Sequence, residues 1–320
     1  MGVTRRFFSQ WQNWLGLLIV AAFIFLALFA PLLAPINPDK QESVARPYLR
    51  VPQPPGLGAP LGTLPDQTSV FENLVWGSRN ALTFGVTVTT VIFFFGTLIG
   101  TIAAFLGGRA NSLLMGTTDI FLAFPVIAGV VLFNQLSNVM LMNLLQTTEY
   151  AGYSLEAIQR FGLEETLIPF LSPLMKINPS AIAFSLFLWV PYARVMNASV
   201  MRLKRVEFVL AAKVSGVRNF RVMIRHLIPN AIAPVMVMAA KDVGALVVMQ
   251  TTFAFIGLGK STPWAYALLS GRDWIYSPNG IITYWWLFLP VTIALILFGI
   301  GWNLLGDGLI EAMNPKSGQK

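Results

Sequence analysis

The chain has 320 residues; 55% are hydrophobic, 11% are charged, and the mean hydropathy is +0.66. A soluble domain carries about 25% charge, so this composition describes an integral membrane protein. The absence of cysteine and the single histidine, His226, exclude disulfides, thiolate metal sites and multi-histidine metal chemistry.

In chain order, Thr4-Arg5-Arg6-Phe7 opens the sequence and an uncharged run extends to Asp39. Its most apolar part, Trp14 to Leu33, is long enough to cross a hydrocarbon core, which needs about 20 residues. It exceeds the h-region of a signal peptide and has no clear cleavage site after it, so it reads as a first span. Pro35 to Arg79 is polar and proline-rich, without convincing helical or strand periodicity. Asn80 to Gly108 carries no charge and makes a second span. Gly107 to Asn111 reads as a tight turn. Asp119 precedes an uncharged run to Thr148, a third span with an expected kink at Pro125. Glu149 to Lys176 is acidic and amphipathic in fragments, and reads as an outer insertion (about 146–178) with a short surface helix. The insertion is either an ornament on the rim or a contact for a solute-binding protein. Ile177 to Tyr192 is a short fourth span, Ala231 to Phe255 a fifth, and Tyr284 to Leu305 a sixth. The predicted fold class is therefore all-α integral membrane, with six transmembrane helices. The domain reading is residues 1–80 as an N-terminal helix and extracytoplasmic segment, then 81–311 as the transmembrane domain.

Six spans put both termini on one side. With that side inside, cytoplasmic segments hold 13 bases against three acids, or four with Asp119, while outer segments hold eight bases and nine acids. This is the positive-inside asymmetry, and it accounts for the net charge of +8 without nucleic acid. It places Lys204 to Asn230 in the cytoplasm. Eight of the 22 basic residues lie between Arg194 and Arg225, with one acid, Glu207, among them. Glu207 to Ser215 is predicted helical, ending at Gly216, which suits the left-handed position after a helix. Asn219 to Leu227 is a second short helix. Its period puts Phe220, Met223, Ile224 and Leu227 on one face and Arg218, Arg221 and Arg225 on the other. Pro229 ends or restarts it. A structured basic loop between two spans suggests a docking surface.

Gly257 to Ser261 mimics the end of a phosphate loop, but GxxxxGK[ST] needs glycine where this chain has Ala254, and the segment ends an apolar span. Lys241 and Asp242 fall near mid-membrane in the fifth span, where ionisable groups are costly and face a cavity or a partner. Neighbours on a helix point about 100° apart. Two readings stand: groups on a translocation path, with Gln250 lining the same path, or an ion-pair lock to a neighbouring helix or subunit. No grouping of residues supports acid–base or nucleophilic catalysis, and a structural or interfacial role is expected for His226.

Leu210-Ala211-Ala212, then Gly216, then Ile228-Pro229 at these spacings resembles the EAA loop of ABC-importer permeases. VLAAKVSG…RHLIPN is similar to the branch that handles dipeptides, oligopeptides and nickel. RRFF…LALFAPLLAPINPD, Leu61-Gly62-Thr63, TTDIFLAFP and NLLGDGLIEAMNPK resemble the same branch. The chain departs from it at Gln67-Thr68-Ser69, where a Gly-Arg-Asp is usual, at Lys241 and Asp242, where small or apolar residues are usual, and at Gln250, often Glu. The resemblance implies the type I permease fold and a prokaryotic cell membrane. It implies a heterodimer with a homologous permease, two cytoplasmic ATPase subunits and an extracytoplasmic solute-binding protein. ATP and Mg²⁺ would then be bound by the ATPases, leaving no cofactor or metal in this chain and no enzymatic step of its own. Residues Leu210, Ala211, Ala212, Val214, Gly216 and Pro229 become the ATPase-coupling loop, with Leu210 and Val214 as an apolar rib. A rival reading is an ion-coupled secondary transporter or channel, in which Lys241 and Asp242 are coupling groups. No internal repeat of the kind such transporters carry is visible.

Overall fold

A computed structural model of the chain describes residues 7–35, 51–125, 127–136, 179–258, 261–275 and 283–313. Among the described residues the only non-helical pairing is two isolated bridges, Gly56 with Ala59 and Thr63 with Ser69. The expected insertion at 146–178 lies outside the described residues.

Helix α1 (Trp11–Leu28) buries Asn13, Gly16, Val20, Phe23 and Ala27, one residue per turn along a single stripe. The remainder of its apolar surface is exposed: Leu18, Phe25 and Leu28 show what a span presents to lipid. Helix α2 (Val70–Leu106) has 37 residues, so it extends roughly 55 Å at 1.5 Å per residue and outreaches the ~30 Å hydrocarbon core. It begins ten residues before the expected start. Ser69 and Glu72 form the S-x-x-E start signal, and the Ser69 hydroxyl accepts from the Glu72 N–H. Within the added 70–79 stretch, Trp76 and Arg79 stack as a cation–π pair at 5.5 Å.

Gly107 joins α2 to α3 (Gly108–Ala123). A second piece, α4 (Ile127–Leu136), is bent from α3 by 80°, so the expected kink at Pro125 is a sharp break. Helix α5 (Pro179–Leu203) continues through Pro191 and ends eleven residues beyond the expected boundary at Tyr192. Its inner half is held by polar contacts to earlier helices. Arg194 pairs with Asp119, and Asn197 donates to Asn111 at 2.6 Å and to the Gly100 carbonyl at 3.3 Å. Among the described helices, α2 and α5 share the most extensive contact in the bundle. Gly96 and Gly100, a GxxxG spacing, make that possible, because a Cβ at either would collide with the α5 backbone at Trp189 or Ala193.

Short helices α6 (Glu207–Val214) and α7 (Asn219–Val222) come next, then a π-helical turn at Met223–Leu227 and one helical turn at Ile228–Ala231. Helix α8 (Ala233–Phe255) packs against both α2 and the last helix. Helix α9 (Pro263–Ile275) and a 3₁₀ turn at Trp285–Leu287 lead into α10 (Leu289–Met313), which packs on α1 and α8.

Five of these helices are long and apolar enough to cross a membrane, or six if the bent α3–α4 pair counts as one span. The chain is a multi-pass membrane protein. Phe84, Phe184 and Phe253 join α2, α5 and α8, with Phe184 stacked on Phe253 at 5.7 Å.

The two ends of the bundle differ in construction. Phe7, the end of α10 and the 204–230 loop share one end, tied by Lys204 donating to the carbonyls of Ala104 and Phe105 at the end of α2. At the other end, residues 51–69 and the start of α2 are laced to α9 and the 3₁₀ turn. Trp286 donates to the Thr63 carbonyl, Trp264 donates to the Leu74 carbonyl, and the Tyr266 hydroxyl donates to Asp66 at 2.5 Å. Burial, then the hydrogen bond to Asp66, pushes the Tyr266 phenol up to about 12. It therefore remains a donor throughout the neutral range. Gln67, where the branch resemblance expects glycine, takes a left-handed φ of 67° inside an Asp66–Thr68 turn.

Candidate functional site

The loop end presents an apolar surface built from short elements. Val209 is buried and Ala212 half-buried against the bundle, while Leu210, Ala211 and Val214 point outward. Val214 is 89% exposed, beside the 48% exposed Leu210. Leu210 and Val214, one turn apart, form the expected rib. Of the two alanines only Ala211 offers its backbone to an approaching surface; Ala212 faces the bundle.

Gly216 takes φ +75° and closes α6 with the Val217 N–H bonded to the Ala212 carbonyl at 3.2 Å. This is the six-to-one bond of a glycine-terminated helix. Nothing lies within 4 Å of where a Cβ would stand, so the requirement at Gly216 is purely one of backbone conformation.

Beyond Val217 the expected register fails. Val222 and Leu227 are the buried residues, whereas Phe220 is 66% exposed and Ile224 49%. A π turn at Met223–Leu227 follows, and its wider turn carries the residues after it away from a 3.6 period. Phe220 and Ile224 share a cavity of about 520 Å³ with Arg221, Arg225 and Pro229, instead of facing away from the arginines. Val222 is the inward residue the periodic reading missed. His226 is half-buried and its ring lies 6.5 Å from that of Phe208, so it ties the π turn to α6.

The charges of α8 are resolved separately. Lys241 Nζ lies 2.6 Å from Asp307 Oδ1 on α10, and Asp242 accepts from the Tyr192 hydroxyl of α5 at 2.6 Å. Two adjacent residues thus tie α8 to two different helices, as their 100° separation requires. Gln250 is 3% exposed, with its Nε2 unpaired among the described residues, and does not share a surface with Lys241. Nine residues of helix put those two on opposite faces. Of the two readings of the α8 charges, the contacts within this chain are those of a lock to neighbouring helices, and Lys241 and Gln250 lie on different faces. Asp307 and Tyr192 escaped the sequence reading because tertiary folding alone brings them to α8.

A model of the binding-protein-dependent transport system inner membrane component matches residues 96–318, and one of the N-terminal transmembrane domain of oligopeptide transport permease C matches residues 2–55. The chain belongs to the family of binding-protein-dependent transport system inner membrane components. Among its relatives, the dipeptide transport system permease protein DppC of Alkalihalophilus pseudofirmus is 28% identical over 304 residues, covering 94% of this chain and 84% of the relative. The probable D,D-dipeptide transport system permease protein DdpC of Escherichia coli is 25% identical over 306 residues, covering 94% and 87%. The oligopeptide transport system permease protein OppC of Bacillus subtilis is 26% identical over 313 residues, covering 97% and 88%. This permease therefore has the type I fold of ABC importers, and its work is transport across a membrane. Its 204–230 loop lies inside the matched region, as do Lys241, Asp242 and Asp307.

Proposed function

We propose that this permease is one of two homologous membrane subunits of an ATP-driven importer of dipeptides or oligopeptides. Its loop end faces the cytoplasm and docks an ATPase. The relatives' names supply the solute class, and the charge asymmetry supplies the orientation, with both termini cytoplasmic. ATP and Mg²⁺ belong to the ATPase pair, and an extracytoplasmic binding protein delivers the solute to the opposite end.

The observation that carries the docking assignment is the exposed rib of Leu210 and Val214 on a helix that Gly216 turns sharply back toward the bundle. A free surface helix hides its apolar residues; this one hides Val209 and Ala212 and displays the others. A cleft on the ATPase can receive the rib, and acidic groups there can meet Arg221 and Arg225. When the ATPases close on ATP, rigid-body movement of α6 passes through the π turn and Pro229 into α8. Helix α8 is bound to α5 by Asp242 and to α10 by Lys241, so the three helices move together or exchange partners together.

The test is Gly216→Val. A β-branched residue in the left-handed region costs about 1–3 kcal/mol, with no clash to relieve. Membrane insertion and pairing with the homologous permease are expected to survive, while ATPase co-purification and uptake fall together. Full uptake in that variant would remove the loop from the coupling role. Uptake that persists without ATP but collapses with the proton gradient would favour the ion-coupled reading.

A further inference from the structure

A second cavity, of about 310 Å³, lies in the seam of α8, α9 and α10 at the end of the bundle remote from the 204–230 loop. Its polar lining is Arg272 of α9 with Thr251, Thr252 and Thr292; Phe255 and Phe288 contribute to the apolar walls. The same seam is closed below. A Cβ at Gly244 would stand 3.1 Å from Gly299 Cα, so α8 and α10 touch backbone to backbone there, and the Lys241–Asp307 pair bridges the next turns. The seam is thus a cup with an open outer part and a sealed floor.

We infer that this cup is a transient solute subsite that takes the C-terminal residue of a peptide. The inference rests on the peptide-importer reading above. Among the described residues one guanidinium is the only formal charge in the lining, and it matches one carboxylate. Arg272 meets the neighbouring Asp273 through Nε at 3.3 Å, which leaves the terminal nitrogens of the fork for a ligand. The Thr252 hydroxyl donates to the Val248 carbonyl at 2.8 Å, so toward a ligand it is an acceptor, suited to a peptide N–H. The volume is at the low end for ligand pockets, which run from about 300 Å³. It suits one apolar side chain with its carboxylate, not a whole oligopeptide. A solute released at this end would pause with its terminus on Arg272 until α8 and α10 part at Gly244 and Gly299.

The experiment uses the complete transporter in proteoliposomes, with Ala-(4-azidophenylalanine) as a photoreactive dipeptide and the unmodified Ala-Phe as competitor. Irradiation during turnover is expected to label the segments bearing Leu268, Phe288 or Leu295, and Ala-Phe is expected to compete. Arg272→Gln is expected to lower both labelling and uptake about tenfold, the loss of one partly solvated charge-assisted bond. Binding-protein-stimulated ATP hydrolysis should persist, and Arg272→Lys should keep part of the activity. Uptake without label in these segments overturns the subsite, as does label and uptake unchanged in Arg272→Gln. A phospholipid retained in native mass spectra in an Arg272-dependent way, with no peptide label, also overturns it. If the wild-type transporter takes up no dipeptide, the peptide reading itself has failed and the subsite goes with it.

Discussion

The two ends of this bundle handle large side chains in opposite ways. At the end formed by residues 51–69, α9 and the 3₁₀ turn, Trp264, Trp286, Leu64 and Leu287 are all at most 5% exposed, and the indole N–H groups reach carbonyls of distant segments. At the loop end, Leu210, Val214, Phe220 and Ile224 stand out from ordered turns. The first end satisfies itself within the chain. The second is ordered but incomplete, which is the expected state of a surface shaped for another subunit. Stability should therefore be concentrated at the first end and association at the second, and substitutions can separate the two.

The largest effect is expected from Trp264→Ala. The ring is 1% exposed, packs edge-on against Phe23 and Phe298, and fills the space that Gly77 leaves. Its loss should cost about 3–5 kcal/mol, read as a lowered thermal midpoint and yield in detergent. Molecules that do fold should still bind the ATPases. ATPase binding lost out of proportion to folding would mean that the two ends are coupled and the division is wrong.

Val214→Asp is the converse. At 89% exposure the residue contributes little to folding, and the change should move stability by no more than about 0.5 kcal/mol. A carboxylate driven into an apolar cleft should instead weaken ATPase docking by about 2–4 kcal/mol, measured by co-purification and by uptake. Normal docking in this variant would place the ATPase elsewhere on the loop, with the Phe220–Arg225 cavity the next surface to change.

The loop was the more legible end because its signals are local. A helix period from Glu207, a glycine at the turn and two apolar residues four apart predict α6, its termination and its outward rib. The expected separation failed at Phe220 and Ile224, which line one cavity with Arg221 and Arg225, because side-chain period alone does not say which part of a short helix the bundle covers. The closed end was largely illegible. Its order comes from pairings such as Tyr266 with Asp66 and Trp286 with Thr63, which no local pattern encodes. One signal there was available: Ser69 with Glu72 three residues on marks the true start of α2. The GxxxG of Gly96 and Gly100 likewise announces the α2–α5 contact. The charges of α8 fall between these cases. Their cost in a membrane makes partners a necessity, but Asp307 and Tyr192 could be chosen only from three-dimensional packing.

Those partners set up the smallest and most discriminating prediction. Two single-group changes act on one hydrogen bond in the middle of the bundle. Tyr192→Phe removes the donor and leaves the Asp242 carboxylate without the phenol that holds it. Asp242→Asn keeps an acceptor oxygen for that phenol and removes the charge. If Asp242 serves to bind α8 to α5, the first change should cost about 1 kcal/mol or somewhat more and the second less, with uptake falling in the same order. If Asp242 instead meets a charged part of the solute, the order reverses: Asp242→Asn should slow uptake more than Tyr192→Phe, with the thermal midpoint nearly unchanged in both. Since Lys241 already holds the other side of α8 through Asp307, neither change should release the helix alone, and a modest, ordered pair of effects is what a shared clamp requires.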